Sequence, residues 1–113
     1  LNENAKTHAF YNVIPEENHH EILAFKRSHE GLHIVFLRDE NDHPQVQKRM
    51  DLLKEVVKQA GNTITEVKLK GESYLVKFWT ALYLGDLTSY YLAKNCGVDP
   101  LDIKLIEDFK KNL

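Results

Sequence analysis

LHIVFL, residues 32–37, is a short and almost continuous apolar run that follows Gly31 and precedes the polar cluster RDENDH. Such a run is typical of a strand that is buried on both faces in a parallel sheet. A second run, TITEVKL at residues 63–69, follows the two-residue period of a strand. We therefore expect both runs to be strands of one sheet.

A helix is predicted between these two strands. The sequence DHP at residues 42–44 is typical of a helix start, because a proline in the first turn gives up an N–H that has no partner there. Apolar residues then recur at helical spacing until Gly61, which we expect to end the helix.

The longest helical pattern covers residues 74–95, with Ser73 as its expected N-cap and Gly97 closing it. This stretch is strongly apolar but contains Lys77 and Asp86, so we expect a mostly buried helix across the sheet rather than a membrane span. A carboxylate inside an apolar helix needs polar partners, which predicts that Asp86 is a buried polar hub.

Asp99-Pro100 predicts the start of a last helix, with Asp102 at its third position. The predicted order is helix, helix, strand, helix, strand, helix, helix. Strands separated by helices imply parallel pairing with right-handed crossovers. The sequence therefore predicts an α/β fold.

The composition is that of a soluble globular domain, with 113 residues, 42% of them hydrophobic and 28% charged. A net charge of −2 offers no electrostatic footprint for nucleic acid or an acidic membrane surface. The single cysteine, Cys96, excludes an internal disulfide and favours a reducing, cytoplasmic setting, and we interpret it as a packing residue. The chain begins at Leu1 and its one methionine is Met50, so we expect a fragment or a processed form.

Three ionisable side chains at separated points of the chain suit proton transfer on a sugar: the carboxylate of Glu3, the imidazole of His19 and the amine of Lys110. Each also has a simpler local explanation. Glu3 is a favourable charge in the first turn of a helix, His19 is a surface histidine at a helix start, and Lys110 is a cation at a helix C-terminus.

Other kinds of site receive little support from the sequence. His20 begins a pattern like that of a zinc-protease helix, but Ala24 stands where the second histidine ligand is needed. On a helix the adjacent imidazoles of His19 and His20 point about 100° apart, so they do not serve one site together. There is no glycine-rich phosphate loop, no pair of cysteines and no nucleophile elbow.

Six short motifs occur in a fixed order along nearly the whole chain. Together they resemble the C-terminal sugar isomerase (SIS) domain of the bifunctional phosphoglucose/phosphomannose isomerases. The motifs are NENAK at 2–6, NHHEI at 18–22, DHPQVQKR at 42–49, GDLTSYYLA at 85–93, GVDP at 97–100 and IEDFKKNL at 106–113.

The resemblance implies catalytic roles for three residues. Glu3 matches the family's glutamate base, His19 matches the histidine that acts on the sugar ring, and Lys110 matches the lysine of the last motif. The chain has His20 where the family pattern has asparagine, which leaves open which imidazole is functional. In the third motif Gln45 replaces the first arginine, whereas the second is kept.

The resemblance also implies the architecture: an SIS-type three-layer sandwich with a parallel sheet flanked by helices. Residues 1–113 are then the C-terminal SIS domain of a normally two-domain protein, and the N-terminal domain, which carries a Ser/Thr-rich phosphate loop, is absent from the sequence. Family members are dimers in which the histidine reaches the active site of the opposite subunit.

The reaction implied is the aldose–ketose isomerisation of glucose 6-phosphate, mannose 6-phosphate or both to fructose 6-phosphate through a cis-enediol, with neither metal nor organic cofactor. The expected partners are a sugar-phosphate substrate and a second copy of the chain, and we expect this segment alone to be inactive. The alternative is a non-catalytic SIS module that binds a sugar phosphate or only dimerises. Which of the two hexose phosphates is used stays open.

Overall fold

The computed structural model describes residues 1–27 and 31–113. The chain divides into two compact units: the terminal unit, Leu1–Phe10 with Ser73–Leu113, and the sheet unit, Tyr11–Glu72. The elements are α1 (Asn2–Ala5), a 3₁₀ helix (Glu21–Lys26), β1 (His33–Arg38), α2 (Pro44–Gln59), β2 (Thr63–Lys68), α3 (Tyr74–Asn95) and α4 (Lys104–Lys110). Their order is the predicted one.

The sheet unit contains a two-stranded parallel sheet. β1 and β2 pair in register from His33 opposite Thr63 to Arg38 opposite Lys68, and α2 connects them. The predicted parallel pairing and the α/β class, with helices accompanying a parallel sheet as in an SIS domain, are therefore confirmed.

The core of the sheet unit joins β1, α2 and the 3₁₀ helix. It is built on Phe25, Phe36, Leu53 and Val57, of which Val57 is fully buried. Partly buried apolar residues surround this cluster, including Ile34 of β1 and Ile64 of β2 at paired positions: Ile14, Ile22, Ile34, Met50, Val56, Ala60, Ile64. The core thus fixes α2 on one face of the sheet.

The prediction that β1 is buried on both faces is wrong. Ile34 and Phe36 face the core, whereas Val35 and Leu37 point to the other side and are about half exposed. An apolar run shows only that both faces of a strand are compatible with burial. It does not show that other parts of the chain pack against both faces. On the exposed face the His33 ring hydrogen-bonds the hydroxyls of Thr63 and Thr65.

The ends of α2 follow the local sequence closely. His43 is the N-cap, and its Nδ1 accepts a hydrogen bond from the backbone N–H of Gln45 at 3.2 Å, with Pro44 in the first turn. After Gln59 the chain turns through Gly61 at φ 81°, a left-handed conformation that favours glycine. The predicted start and stop of this helix are therefore confirmed.

α3 is the long helix of the terminal unit. The Ser73 Oγ accepts from the backbone N–H of Val76 at 3.3 Å, as expected of an N-cap. The prediction of a mostly buried helix is wrong, because its buried residues are Lys77, Ser89 and Ala93 while its large apolar side chains are exposed. A helix that is apolar on all sides needs neighbours on several sides, and in this unit α3 packs against the four-residue α1.

Two further expectations for the terminal unit are corrected. Asp86 is exposed and is not a buried hub; its backbone carbonyl accepts from the buried hydroxyl of Ser89 instead. The last helix does not open at Asp99-Pro100, because the Asp99 carboxylate accepts from the backbone N–H of Leu101 and forms a separate turn. α4 begins at Lys104, and no helix of the described residues has the length and apolarity to cross a membrane.

Candidate functional site

Glu3 lies in α1, a helix of a single turn. Two polar residues that follow it in the chain are engaged: Asn4 donates from its side-chain amide to the Ser89 hydroxyl at 3.0 Å, and the Lys6 ammonium donates to two backbone carbonyls. The Glu3 carboxylate itself is exposed, and it forms no hydrogen bond or ion pair with any residue that the structure describes. It is therefore available to a ligand.

His19 lies in a turn that precedes the 3₁₀ helix, not in a helix as its sequence context indicated. Its ring packs against that of His20, with centroids 4.4 Å apart, so the two imidazoles are neighbours. The His20 Nε2 lies 3.7 Å from a carboxylate oxygen of Glu16. Within residues 1–27 and 31–113 the His19 ring has no hydrogen-bond partner, so of the two imidazoles it is the one not engaged by a carboxylate.

A buried polar pair lies directly beside this turn. The Glu17 side chain is buried, and one of its oxygens accepts from the Asn18 amide at 2.6 Å. The other Glu17 oxygen and the Asn18 carbonyl oxygen are buried without a hydrogen-bond partner among the described residues. Burial raises the pKa of the Glu17 carboxyl, the Asn18 hydrogen bond opposes the rise, and the charge of Glu21 adds to it.

Lys110 is the last residue of α4 and is exposed. The next residue, Lys111, donates to the Asp108 carboxylate at 3.1 Å. The Lys110 ammonium forms no ion pair or hydrogen bond inside the described part of the chain. The predicted position of Lys110 at the end of the last helix is confirmed, since α4 covers Lys104–Lys110.

The three predicted site residues thus share one property: a neighbouring side chain in the same motif bonds to another residue, whereas the predicted side chain bonds to none of residues 1–27 and 31–113. Glu3 and Lys110 belong to the terminal unit and do not bond to each other, whereas His19 belongs to the sheet unit. Their catalytic roles remain predictions.

Sequence reasoning missed the side chains that hold α1 in place. Lys6 and Asn4 lie inside a quoted motif, but their partners, Asp102 and Ser89, are 96 and 85 residues away. No local pattern signals such contacts. In the described ranges, no three histidine, cysteine, aspartate or glutamate side chains come together in a way that could hold a metal ion.

Comparison with known proteins identifies the family. The family model described as bacterial phospho-glucose isomerase C-terminal SIS domain matches residues 1–113. Three curated proteins, each named bifunctional phosphoglucose/phosphomannose isomerase, are similar in sequence. They come from Aquifex aeolicus (33% identical), Thermoplasma volcanium (34% identical) and Caldicellulosiruptor bescii (35% identical).

The match covers 98–100% of this chain but only 34–36% of each relative, so the chain spans about a third of their length. No solved structure matches it significantly. The family model covers every residue, and the parallel sheet with its helices is consistent with it. The chain therefore belongs to the family of bacterial phospho-glucose isomerase C-terminal SIS domains.

Proposed function

We propose that this chain supplies catalytic residues to a phosphosugar isomerase that interconverts glucose 6-phosphate, mannose 6-phosphate or both with fructose 6-phosphate. Family membership and the names of the relatives support the reaction class. One observation carries the assignment of residues: in each of three motifs a neighbouring side chain bonds to another residue, whereas no described residue bonds to the side chains of Glu3, His19 and Lys110.

Glu3 is the general base in this proposal. An aldose–ketose isomerisation moves one proton from C2 to C1 of the open-chain sugar and a hydroxyl proton from O2 to O1, through a cis-enediol. The Glu3 carboxylate takes the C2 proton and returns it to C1, so it ends the cycle unchanged. The support is that the carboxylate is exposed and has no partner among the residues that the structure describes, while the helix that carries it is held by Asn4 and Lys6.

His19 opens the sugar ring, and Lys110 stabilises charge. Ring opening moves a proton from the C1 hydroxyl to the ring oxygen, which an imidazole can perform because its ring nitrogens can accept and donate a proton. We assign this step to His19 because its neighbour His20 is beside the Glu16 carboxylate. The Lys110 ammonium stabilises the oxygen that becomes negative as the enediolate forms, and Lys111 is already paired with Asp108.

The proposal includes a homodimer and a cytoplasmic setting, with neither metal nor organic cofactor taking part. The one cysteine of the chain, Cys96, is a free thiol, which fits a reducing compartment. The C2 proton moves through Glu3, the ring-opening proton moves through His19, and the hydroxyl proton passes from O2 to O1 between the adjacent oxygens of the cis-enediolate, so the reaction balances without a further reagent.

Steady-state kinetics on the complete protein that contains this sequence test the residue roles. Glu3→Gln should lower kcat by about 10²–10⁴-fold, because an amide keeps the shape but does not accept the C2 proton. Glu3→Asp should keep part of the activity, since the carboxylate remains but is withdrawn by one methylene. Sugar-phosphate binding should persist in both.

Matched neighbours serve as controls for the other two roles. His19→Ala should slow the reaction of the cyclic sugar more than that of the open-chain form, whereas His20→Ala should be mild. Lys110→Ala should lower turnover more than binding, and Lys111→Ala should do neither. If Glu3→Gln keeps most of its activity, the base is elsewhere; if the unaltered protein binds hexose phosphates without converting them, it is a non-catalytic SIS module.

A further inference from the structure

α1 is too short to hold its own shape. Isolated helices need on the order of 12–15 residues to be even marginally stable in water, because the first turn is costly to form. α1 has four residues, Asn2–Ala5. The orientation of the Glu3 backbone must therefore be fixed by contacts that α1 makes with other parts of the terminal unit.

Three polar side chains make those contacts, and they are the alternate residues of the first motif. Asn2 exchanges two hydrogen bonds with the backbone of Ala9, at 2.9 and 2.8 Å. Asn4 donates to the Ser89 hydroxyl of α3 at 3.0 Å. Lys6 donates from one ammonium to the carbonyl of Glu3 and to the carbonyl of Asp102, each at 2.7 Å.

The contact made by Lys6 differs from the other two. It satisfies the carbonyl of Glu3, one of those that a helix end leaves without a partner, and it puts a cation at the negative end of the helix. Its backbone has φ 53°, the left-handed conformation of a helix C-cap. The same ammonium reaches Asp102, whose carboxylate accepts from the backbone N–H of Lys104 at the start of α4.

Lys6 therefore ties the helix that carries Glu3 to the entry of the helix that ends at Lys110. Both of its acceptors are backbone carbonyls. The contact therefore holds the two backbone segments together, and it does not depend on the charge of another side chain. An ammonium engaged by two carbonyls at 2.7 Å is committed to this bridge, which argues for a holding role and against direct work on a substrate.

We propose that Lys6 is a positioning residue that fixes Glu3 relative to the segment leading to Lys110. This inference rests on the proposed function, because it assumes that Glu3 is the base. A base that moves a proton between adjacent carbons must be placed closely, and a misplacement of roughly 1 Å can cost about 10²-fold in rate. Lys6 provides that placement through the backbone.

The test compares kinetics and hydrogen exchange in the complete protein that contains this sequence. Lys6→Met keeps the length of the side chain but removes its donors, and Lys6→Arg restores donors. Lys58→Met is the control, since Lys58 pairs at the surface of α2 with Glu55. Lys6→Met should lower kcat by about 10–100-fold with KM nearly unchanged. It should also speed backbone exchange at residues 2–6 and 100–104.

Lys6→Arg should recover part of both the turnover and the protection from exchange, and Lys58→Met should match the unaltered protein. If Lys6→Met does not fold, Lys6→Gln, with a shorter donor, carries the same comparison. The inference is overturned if Lys6→Met turns over as fast as Lys58→Met, or if kcat falls with no change in exchange. A fully active Glu3→Gln protein would instead overturn the proposed function. The role of Lys6 and the role of Glu3 are therefore refuted by different results.

Discussion

Glu66→Gln should destabilise the sheet unit, because Glu66 links β2 both to α2 and to β1. The Lys54 ammonium of α2 donates to the Glu66 carboxylate at 2.8 Å, and Arg38 of β1 lies 3.4 Å from the same oxygen. Arg38 also pairs with Asp51 of α2. This group of four charges, Arg38, Asp51, Lys54 and Glu66, is called the charge cluster below.

Partial burial sets the size of the effect. The Arg38, Glu66 and Lys54 side chains are 15%, 24% and 29% exposed. Exposed ion pairs contribute about 0.2–1 kcal/mol, and hydrogen bonds to charged groups about 1.5–3 kcal/mol. Glutamine keeps an acceptor oxygen but loses the charge. We therefore expect Glu66→Gln to lower the free energy of unfolding by about 1–2 kcal/mol at pH 7.

The effect should depend on pH. The hydrogen bond from Lys54 is the main cause that lowers the pKa of Glu66 below its ordinary value of 4.5, and burial opposes it. A carboxyl whose pKa is lower in the folded state stabilises the fold above the unfolded pKa. That stability is lost as pH falls through the folded pKa. The difference between Glu66→Gln and the unaltered protein should therefore shrink below pH 4.5.

Urea denaturation followed by far-UV circular dichroism measures the free energy, and hydrogen exchange at residues 63–68 localises it to β2. Glu55→Gln is the matched control, because the Glu55 side chain is 61% exposed and pairs with Lys58 on the same helix. It should cost at most about 0.5 kcal/mol. If Glu66→Gln costs no more than Glu55→Gln at pH 7, the charge cluster does not hold α2 on the sheet.

Two further expectations concern the buried carboxyl and the assembly. Burial raises the pKa of Glu17, so the contribution of this carboxyl to stability is present below pH 4.5 and is lost as pH rises through the folded pKa. Glu17→Gln should therefore raise the urea midpoint at pH 7, and its midpoint should converge with that of the unaltered protein at low pH. If the midpoint does not rise at pH 7, burial does not raise the pKa of Glu17. Light scattering of the complete protein at micromolar concentration should give the mass of two chains, and the mass of a single chain alone would refute the dimer.

The sequence predicted secondary structure well where local signals define it. Ser73 marked the start of α3, and a stop near Gly97 agrees with its end at Asn95. Both signals depend on the backbone of a few adjacent residues, so they can be read from a short window. The start of α4 was missed because Asp99 satisfies a nearby N–H and forms its own turn, a use of aspartate that competes with helix capping.

Burial was predicted less well, because it depends on neighbours that periodicity does not report. The apolar run of β1 and the apolar surface of α3 indicated full burial, yet Val35 is 52% exposed and Trp79 is 58% exposed. The contact between Lys6 and Asp102 lies beyond sequence reasoning for a similar reason, since it joins residues 96 positions apart. Such contacts follow from the fold and not from a local pattern.

The motifs that identified the family separate, in the structure, into residues that hold the backbone and residues that are left available. In NENAK, Asn2, Asn4 and Lys6 fix a single helical turn, whereas the Glu3 side chain bonds to none of the residues that the structure describes. A motif match by itself does not make this division. A base borne on a single turn is only as well placed as the contacts that hold that turn. Substitutions at the holding residues should therefore reduce turnover without removing the group that performs the chemistry, which separates placement from chemistry in the same motif.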